Sequence, residues 1–154
     1  MLRNITQSST GLLEVIQKYG CYFLCFAEAS PIIFEGESGC QRLNGIWMKA
    51  MERGIISSDL NHDGDYDDDG EAEIQNPEIL ARQFFQLKVK YDGIHHKADE
   101  KIPSNVKLII GQYYYKSGHF VIINRKKKVT FDSYGISNAV RYGYLKTMRW
   151  FYAD

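Results

Sequence analysis

The sequence lacks several features that would place it in a functional class at once. Its 19 Lys and Arg residues balance its 19 Asp and Glu residues, so net charge indicates no particular partner. The basic run from Arg125 to Lys128 has no interleaved aromatic residues, which argues against nucleic-acid binding. No stretch approaches the ~18 consecutive apolar residues that suggest a membrane span. Residues 1–20 contain neither the apolar core nor the cleavage site of a signal peptide. We therefore expect a cytoplasmic protein, with release by lysis or non-classical export left open.

Cysteine is also scarce. The chain has three cysteines, Cys21, Cys25 and Cys40, whose spacing fits neither a zinc framework nor a disulfide scaffold. We interpret all three as reduced thiols. Cys25 is predicted to pack in the core, and Cys40 is predicted to be an incidental loop thiol. Internal repeats and low-complexity linkers are absent as well, so we expect a single domain over residues 1–154.

What the sequence does contain is enough apolar and aromatic material for a packed core. Hydrophobic residues make up 44% and aromatic residues 14% of the chain, which excludes a disordered protein. Capping residues and apolar periodicity predict helices over 7–18, 22–30 and 45–53, and a fourth helix that starts at Asn76-Pro77. β-Branched and aromatic runs predict strands over 106–115, 119–124 and 129–133. Helices before strands predict an α+β fold with an antiparallel sheet packed on the helical part.

The segment GCYFLCFAEAS, residues 20 to 30, places a thiol at the edge of a buried helix. Tyr22 to Ala27 leave no polar face, which is typical of a central core helix rather than a surface helix. Cys21 then lies at the N-terminal end of that helix. There the unpaired backbone N–H groups and the positive end of the helix dipole favour a thiolate over a thiol. The sequence therefore predicts Cys21 as a nucleophile.

A histidine and an aspartate are predicted to meet on two neighbouring strands, GHFVIIN and VTFDSYG. If Phe120 and Ile122 share a face with Val129 and Phe131, Asp132 falls on the side of His119. The carboxylate would then accept from one ring nitrogen, leaving the other nitrogen to face a nucleophile. The remaining histidines, His62, His95 and His96, lie in polar segments and are predicted to be solvated.

These three motifs together resemble the papain-like cysteine peptidase superfamily, and most of all its compact bacterial C39-like and NlpC/P60-type hydrolases. The resemblance implies a papain-like α+β fold whose catalytic cysteine starts the buried helix. It implies Cys21 as nucleophile, His119 as general base and acid, and Asp132 as the orienting residue. The implied activity is cleavage of a peptide or amide bond in a protein or in a peptidoglycan stem peptide, with no cofactor required for catalysis.

The sequence departs from that pattern at the oxyanion hole. Papain-like and C39-like enzymes commonly place a glutamine about six residues before the cysteine, whereas Gln17 is four residues before Cys21. Gln17 is still the candidate oxyanion donor, together with the backbone N–H of Cys21, and Tyr19 is a substitute candidate. A displaced glutamine also keeps open a second hypothesis, that of an inactive papain-like fold acting as a binding module.

An acidic segment, DLNHDGDYDDDGE from Asp59 to Glu71, resembles the start of a calcium loop. The oxygen-bearing residues of the first three ligand positions are present, and a glycine occupies position 6, where a sharp turn is needed: Asp59, Asn61, Asp63 and Gly64. Position 12 is Gly70 rather than a bidentate glutamate, so Asp67, Asp69 or Glu71 would have to complete the cage. A second register from Asp65 ends on Asn76. Structural calcium and a merely hydrated acidic loop are both left open.

Overall fold

The computed structural model describes residues 1–68 and 70–154. Most helices precede a six-stranded antiparallel sheet, which confirms the predicted α+β class. The helices are α1 (Glu14–Tyr19), α2 (Cys21–Ala29), α3 (Gly36–Glu52), α4 (Pro77–Ile79), which continues as a π-helical turn over Leu80–Phe84, and α5 (Asn138–Tyr142). The strands are β1 (Leu2–Arg3), β2 (Phe34–Glu35), β3 (Val89–Tyr91), β4 (His96–Lys97), β5 (Val106–Tyr115), β6 (Ser117–Ile123), β7 (Val129–Phe131) and β8 (Tyr144–Ala153). Within the described residues, no helix combines the length and hydropathy of a membrane span.

The C-terminal strand, β8, is an interior strand of the sheet. The strand order is β3, β8, β5, β6, β7, and β4 also pairs with β8. One face packs on the helices through residues such as Ile110 and Phe151. The other face carries a second apolar cluster that includes Ile109, Met148 and Trp150, against which Val140 of α5 packs. The sheet is therefore covered on both faces, and β5 and β6 lie between α2 and α5.

Two predicted helix starts are wrong. α1 begins at Glu14 instead of residue 7, and α3 begins at Gly36 instead of Gly45. Asn44, a residue of the helix-capping type directly before the predicted start at Gly45, lies inside α3. Its side chain accepts a hydrogen bond from Leu13 N and donates one to the Gly11 carbonyl, each at 2.9 Å. The Asn44 side chain, which the local sequence favours as a helix cap, instead joins α3 to the segment that precedes α1.

The register of the hairpin between β6 and β7 differs in part from the prediction. Phe120, Ile122 and Phe131 lie on the helix-facing side as expected, but Val129 packs on the opposite face. The cause is a register shift: Ile122 pairs with Phe131, but Ile123 pairs with Val129. The extra residue in β7 moves Val129 to the other face of the sheet. Because Phe131 keeps its predicted face, the next residue still falls on the side of His119.

Cys40, predicted to lie in a loop, and His96, predicted to be solvated, are both buried. Cys40 lies in α3 and is 3% exposed rather than in a loop. His96 is 6% exposed and its ring stacks on Trp150 with centroids 3.4 Å apart. Its two nitrogens contact Asp92 Oδ2 at 2.7 Å and Glu100 Oε1 at 3.2 Å. Both corrections come from tertiary packing, which the polar neighbours of these residues in sequence do not reveal.

Candidate active site

Cys21 is presented at the junction of two helices. α1 ends at Tyr19 and α2 begins at Cys21, with Gly20 alone between them. A Cβ atom at Gly20 would lie 2.4 Å from the carbonyl oxygen of Ile16, so only glycine permits so abrupt a junction. The residues from Phe23 to Ala27 are fully buried, whereas Cys21 is partly exposed. The thiol thus lies at the surface end of a rigid helix whose first N–H groups have no helical partner.

The structure brings Cys21, His119 and Asp132 together. His119 Nε2 lies 2.8 Å from Asp132 Oδ1, which confirms the predicted proximity of this pair. Cys21 and His119 line the same cavity, and the N–H of Phe120, next to His119 in sequence, donates to Cys21 Sγ at 3.5 Å. Because Nε2 is engaged by the carboxylate, Nδ1 is the nitrogen left to exchange a proton with the thiol.

Hydrogen bonds hold Asp132 ionised although it is buried. Tyr134 N donates to Oδ1 at 3.1 Å and Ser137 N donates to Oδ2 at 2.8 Å. Burial disfavours the charge, but the hydrogen bonds from His119, Ser137 and Tyr134 outweigh it and keep the pKa of Asp132 below its usual range. A permanent carboxylate can therefore orient the imidazole and stabilise its charged form.

The imidazole of His119 is correspondingly easy to protonate. Burial opposes its charge, yet the hydrogen bonds to Asp132 and Cys21 outweigh burial and raise the pKa of His119 to about 9. Tyr134 stacks on the ring with centroids 5.4 Å apart and covers the His119–Asp132 pair. His119 thus lies in the same cavity as the partly exposed thiol of Cys21 and can act there as a proton donor and acceptor.

Gln17 is not brought to this site. Its side-chain Nε2 donates to the carbonyl of Leu12 at 2.8 Å, so the amide folds back along α1 rather than towards the thiol. Gln17 is also not among the residues that line the clefts beside Cys21. The substitute candidate Tyr19 uses its hydroxyl on the Asp67 carboxylate. Neither side chain is therefore directed at the thiol, and the prediction of an oxyanion donor is wrong for both Gln17 and Tyr19.

A glutamine that the sequence reasoning missed occupies a central position instead. Gln7 is 1% exposed and lines the cleft beside Cys21. Its Nε2 donates to the Gln17 carbonyl at 3.0 Å, and its Oε1 accepts from Ser133 Oγ at 2.6 Å. Gln7 thus ties the end of α1, which presents Cys21, to the turn that follows Asp132. The only sequence signal was a glutamine in a segment of small polar residues, which does not predict burial.

Two depressions meet at Cys21 and form one groove across the thiol. A cavity of about 620 Å³ lies on one side, beside His119, with Tyr115, Ile136 and Tyr142 among its lining residues. A cavity of about 770 Å³ lies on the other side, with Tyr22, Tyr91 and Arg149 among its lining residues. Lys18, Cys21 and Gly118 border both cavities. A groove that is open on both sides of a nucleophile suits an extended polymer.

The acidic segment forms one wall of the larger cavity, through Asp67, Asp68 and Glu71. Of the predicted calcium ligands, Asp63 and Asp65 converge with Asp68, with carboxylate oxygens within 4.8 Å of one another. Asp59 Oδ2 instead accepts from Gly64 N at 2.7 Å, and Asn61 Nδ2 donates to Asp68 Oδ2 at 2.6 Å. Asp69 lies outside the described residues. Calcium binding stays a prediction.

The fold and the site define a class: an α+β protein with a cysteine, a histidine and an aspartate gathered in one open groove. Within that class, the chain belongs to the family described as "Protein of unknown function, DUF261", whose family model matches residues 1–153. No curated protein and no solved structure matches the chain.

Proposed function

We propose that the protein is a papain-like thiol hydrolase that cleaves a peptide or amide bond. The observation that carries this proposal is the convergence of Cys21 and His119 on one cavity, with Phe120 N donating to Cys21 Sγ at 3.5 Å and His119 Nε2 lying 2.8 Å from Asp132 Oδ1. The placement of the three groups supports a papain-like fold. The cysteine begins a buried helix, the histidine lies on β6, and the aspartate directly follows the neighbouring antiparallel strand β7.

In the proposed reaction the Cys21 thiolate attacks the substrate carbonyl carbon, forming a C–S bond and moving the carbonyl π electrons onto oxygen. His119, protonated at Nδ1, gives that proton to the leaving nitrogen as the C–N bond breaks, and a thioester remains. Water then attacks the thioester while His119 takes its proton. The C–S bond breaks, the acid product leaves and the sulfur is regenerated. Asp132 keeps the ring oriented and stabilises its charge throughout.

The developing oxyanion needs donors near Cys21. Because Gln17 is turned towards Leu12, the backbone N–H of Cys21, at the N-terminus of α2, is the donor that the proposal relies on. The positive end of the helix dipole acts in the same direction. Loss of one side-chain donor typically costs ~10²-fold in rate, so we expect a slower enzyme than one with a complete oxyanion hole.

The groove supports a polymeric substrate. Aromatic side chains line the cavities on both sides of the thiol, which suits an extended peptide that crosses the nucleophile. A protein segment and a peptidoglycan stem peptide share this backbone chemistry, and the proposal includes both.

The position of Gln17 favours a second candidate function, a papain-like module that binds a peptide without cleaving it. In that case the Cys21–His119–Asp132 cluster would be retained for packing. The two candidates differ in the reactivity of the thiol, which a hydrolase requires and a binding module does not.

Alkylation by iodoacetamide separates the two candidates. Cys25 and Cys40 are 0% and 3% exposed and serve as internal controls in the folded protein. We expect Cys21 to react near neutral pH and its rate to fall on the order of 10²-fold in the His119→Ala variant. Digestion of peptidoglycan and of denatured protein by the wild type, but not by Cys21→Ala, would then identify the substrate. Labelling of Cys21 that is slow and independent of His119 would contradict the hydrolase proposal.

A further inference from the structure

A buried guanidinium without a carboxylate partner lies beside the groove. Arg149 on β8 is 6% exposed, and no Asp or Glu oxygen lies within 4.0 Å of it among the described residues. Nη1 donates to Thr147 Oγ1, and Tyr91 lines the same cavity. Among the described residues, Thr147 is the one side chain that accepts a hydrogen bond from the guanidinium. Burying an unpaired charge is costly, so a partner from outside the chain would relieve that cost.

The tyrosine and phenylalanine side chains around Arg149 are uncharged. Arg149 borders the larger cavity together with Tyr22 and Tyr91. The Tyr22 hydroxyl is buried and has no hydrogen-bond partner among the described residues. The guanidinium carbon lies 5.1 Å from the centre of the Phe120 ring, on which Tyr22 stacks at 4.4 Å. These aromatic faces hold the guanidinium in place but accept none of its in-plane hydrogen bonds, so an anionic acceptor is the missing component.

The sheet fixes how far this cluster lies from the nucleophile. Phe120, whose N–H contacts the sulfur of Cys21, is paired with Gln112, and Gln112 is paired with Thr147 on β8. Two strand spacings of ~4.8 Å separate Phe120 from β8, and Arg149 lies two residues along that strand. The arginine side chain extends back across β5 to within 5.1 Å of the Phe120 ring centre. An acceptor bound to the guanidinium would therefore lie roughly 7–10 Å from the thiol, which an extended chain spans in about two to three residues.

We propose that Arg149, with the hydroxyl of Tyr22, binds a carboxylate of the substrate about two residues from the bond that Cys21 cleaves. This assignment rests on the proposed hydrolase function and adds a specificity-determining residue to it. Arginine binds carboxylates through two parallel N–H···O hydrogen bonds, which fixes orientation as well as charge. A neutral substrate end would leave the guanidinium unpaired and is disfavoured.

Acidic residues in the same cavity restrict where a carboxylate can bind. Asp67, Asp68 and Glu71 line this cavity together with Arg149 and repel an anion, whereas Arg149 attracts it. A substrate that carries an ammonium group near its carboxylate suits both kinds of charge. The substrate class is therefore an acidic or zwitterionic peptide, with its carboxylate directed towards β8.

The test uses two probes that differ in one group. Bromoacetyl-diglycine carries a free carboxylate about two residues from its electrophilic carbon, and bromoacetyl-diglycinamide carries a neutral amide there. We expect Cys21 of the wild type to react roughly 10- to 100-fold faster with the acid at sub-saturating concentration, since hydrogen bonds to charged groups contribute about 1.5–3 kcal/mol. The ratio should fall to about 1 in Arg149→Gln. It should stay at the wild-type value in Arg42→Gln, which removes an exposed arginine of α3.

The acid-to-amide ratio cancels the intrinsic reactivity of the thiol, so it tests Arg149 separately from the hydrolase proposal. A ratio near 1 in the wild type overturns the carboxylate site, whatever the fate of Arg149→Gln. If neither probe labels Cys21 faster than Cys40, the hydrolase proposal fails. Calorimetric titration with acetyl-diglycine and its amide then decides the carboxylate site: tighter binding of the acid by the wild type supports it, and equal binding overturns it.

Discussion

At the scale of single residues, His119 has the strongest electrostatic effect in the groove. Burial opposes its charge, but hydrogen bonds to Asp132 and Cys21 raise its pKa from the ordinary 6.5 to about 9. A group whose pKa is raised by folding binds its proton more tightly in the native state. Its contribution to stability is therefore complete below pH 6.5 and is lost as the pH rises through about 9. The shift corresponds to about 3 kcal/mol.

We expect the His119→Gln variant to show this pH dependence directly. Below pH 6.5 its free energy of unfolding should be about 3 kcal/mol smaller than that of the wild type, and the gap should close as the pH passes 9. Urea unfolding followed by tryptophan fluorescence over a pH series measures the gap. His62→Gln, at an exposed position, is the matched control. A gap that does not change with pH would show that His119 is not charged in the folded protein.

Gln7 is expected to position the nucleophile without touching substrate. Replacing it with alanine leaves the buried Ser133 Oγ without its acceptor and removes one of the two donors to the Gln17 carbonyl, the other being the Tyr134 hydroxyl, so the free energy of unfolding should fall by about 1–3 kcal/mol. Because Gln7 links α1 to the turn after Asp132, alkylation of Cys21 should also slow. Gln7→Glu keeps the acceptor for Ser133 but loses both donors, and should resemble the alanine variant. Unchanged stability and labelling in both variants would assign Gln7 no such role.

At the scale of secondary-structure elements, the junction of α1 and α2 determines where the thiol lies. A Cβ at Gly20 would meet Ile16 O at 2.4 Å and Ile16 Cγ2 at 2.6 Å. We expect Gly20→Ala to destabilise the protein by about 2 kcal/mol or more and to slow Cys21 alkylation, as α2 shifts to relieve the clash. Chemical unfolding and iodoacetamide labelling measure the two effects.

Gly45, a glycine inside α3, supplies the control for Gly20→Ala. A Cβ at Gly45 in α3 would have no heavy atom within 4 Å. Gly45→Ala should therefore stabilise the protein by about 0.5–1 kcal/mol through helix propensity, with Cys21 labelling unchanged. Similar effects of the two alanines would show that close packing at Gly20 does not set the junction.

Most elements could be predicted from local pattern, but their ends could not. The predicted strand over 106–115 matches β5, and the apolar run from Tyr22 to Ala27 forms the core of α2. Asn76 caps the fourth helix as predicted, accepting from Ile79 N at 3.1 Å. The predicted starts of α1 and α3 are wrong, and Asn44, directly before the predicted start of α3, hydrogen-bonds to Leu13 and Gly11 instead of capping that helix. Local signals predict an element, and long-range contacts decide how far it extends.

At the scale of the whole molecule, β5 lies at the centre. It pairs with β6 on one edge and β8 on the other, and Ile109 and Ile110 belong to the apolar clusters on opposite faces. We expect the amide hydrogens of β5 to exchange slowest in the chain, at rates that approach global unfolding. Those of β7, a strand of three residues with one paired edge, should exchange much faster. Hydrogen exchange followed by mass spectrometry tests this order, and equal protection of β5 and β7 would contradict it.

By itself the sequence determined the order of helices and strands, the burial of α2 behind Cys21, and the proximity of His119 and Asp132. Each of these follows from short-range periodicity, because side chains alternate along a strand and repeat every 3.6 residues along a helix. The face predicted for Val129 was wrong, but Phe131 lies on its predicted face. His119 and Asp132 therefore still lie on the same side.

Only the tertiary structure decided which other side chains surround the nucleophile. Gln7 meets Ser133 across 126 positions of sequence, and Arg149 reaches the groove because β8 pairs with β5. Gln17, the glutamine nearest to Cys21 in sequence, bonds to Leu12 instead. Such partners depend on which strands lie side by side and on which polar groups would be buried unpaired. These are properties of the packed chain, and no window of neighbouring residues contains them.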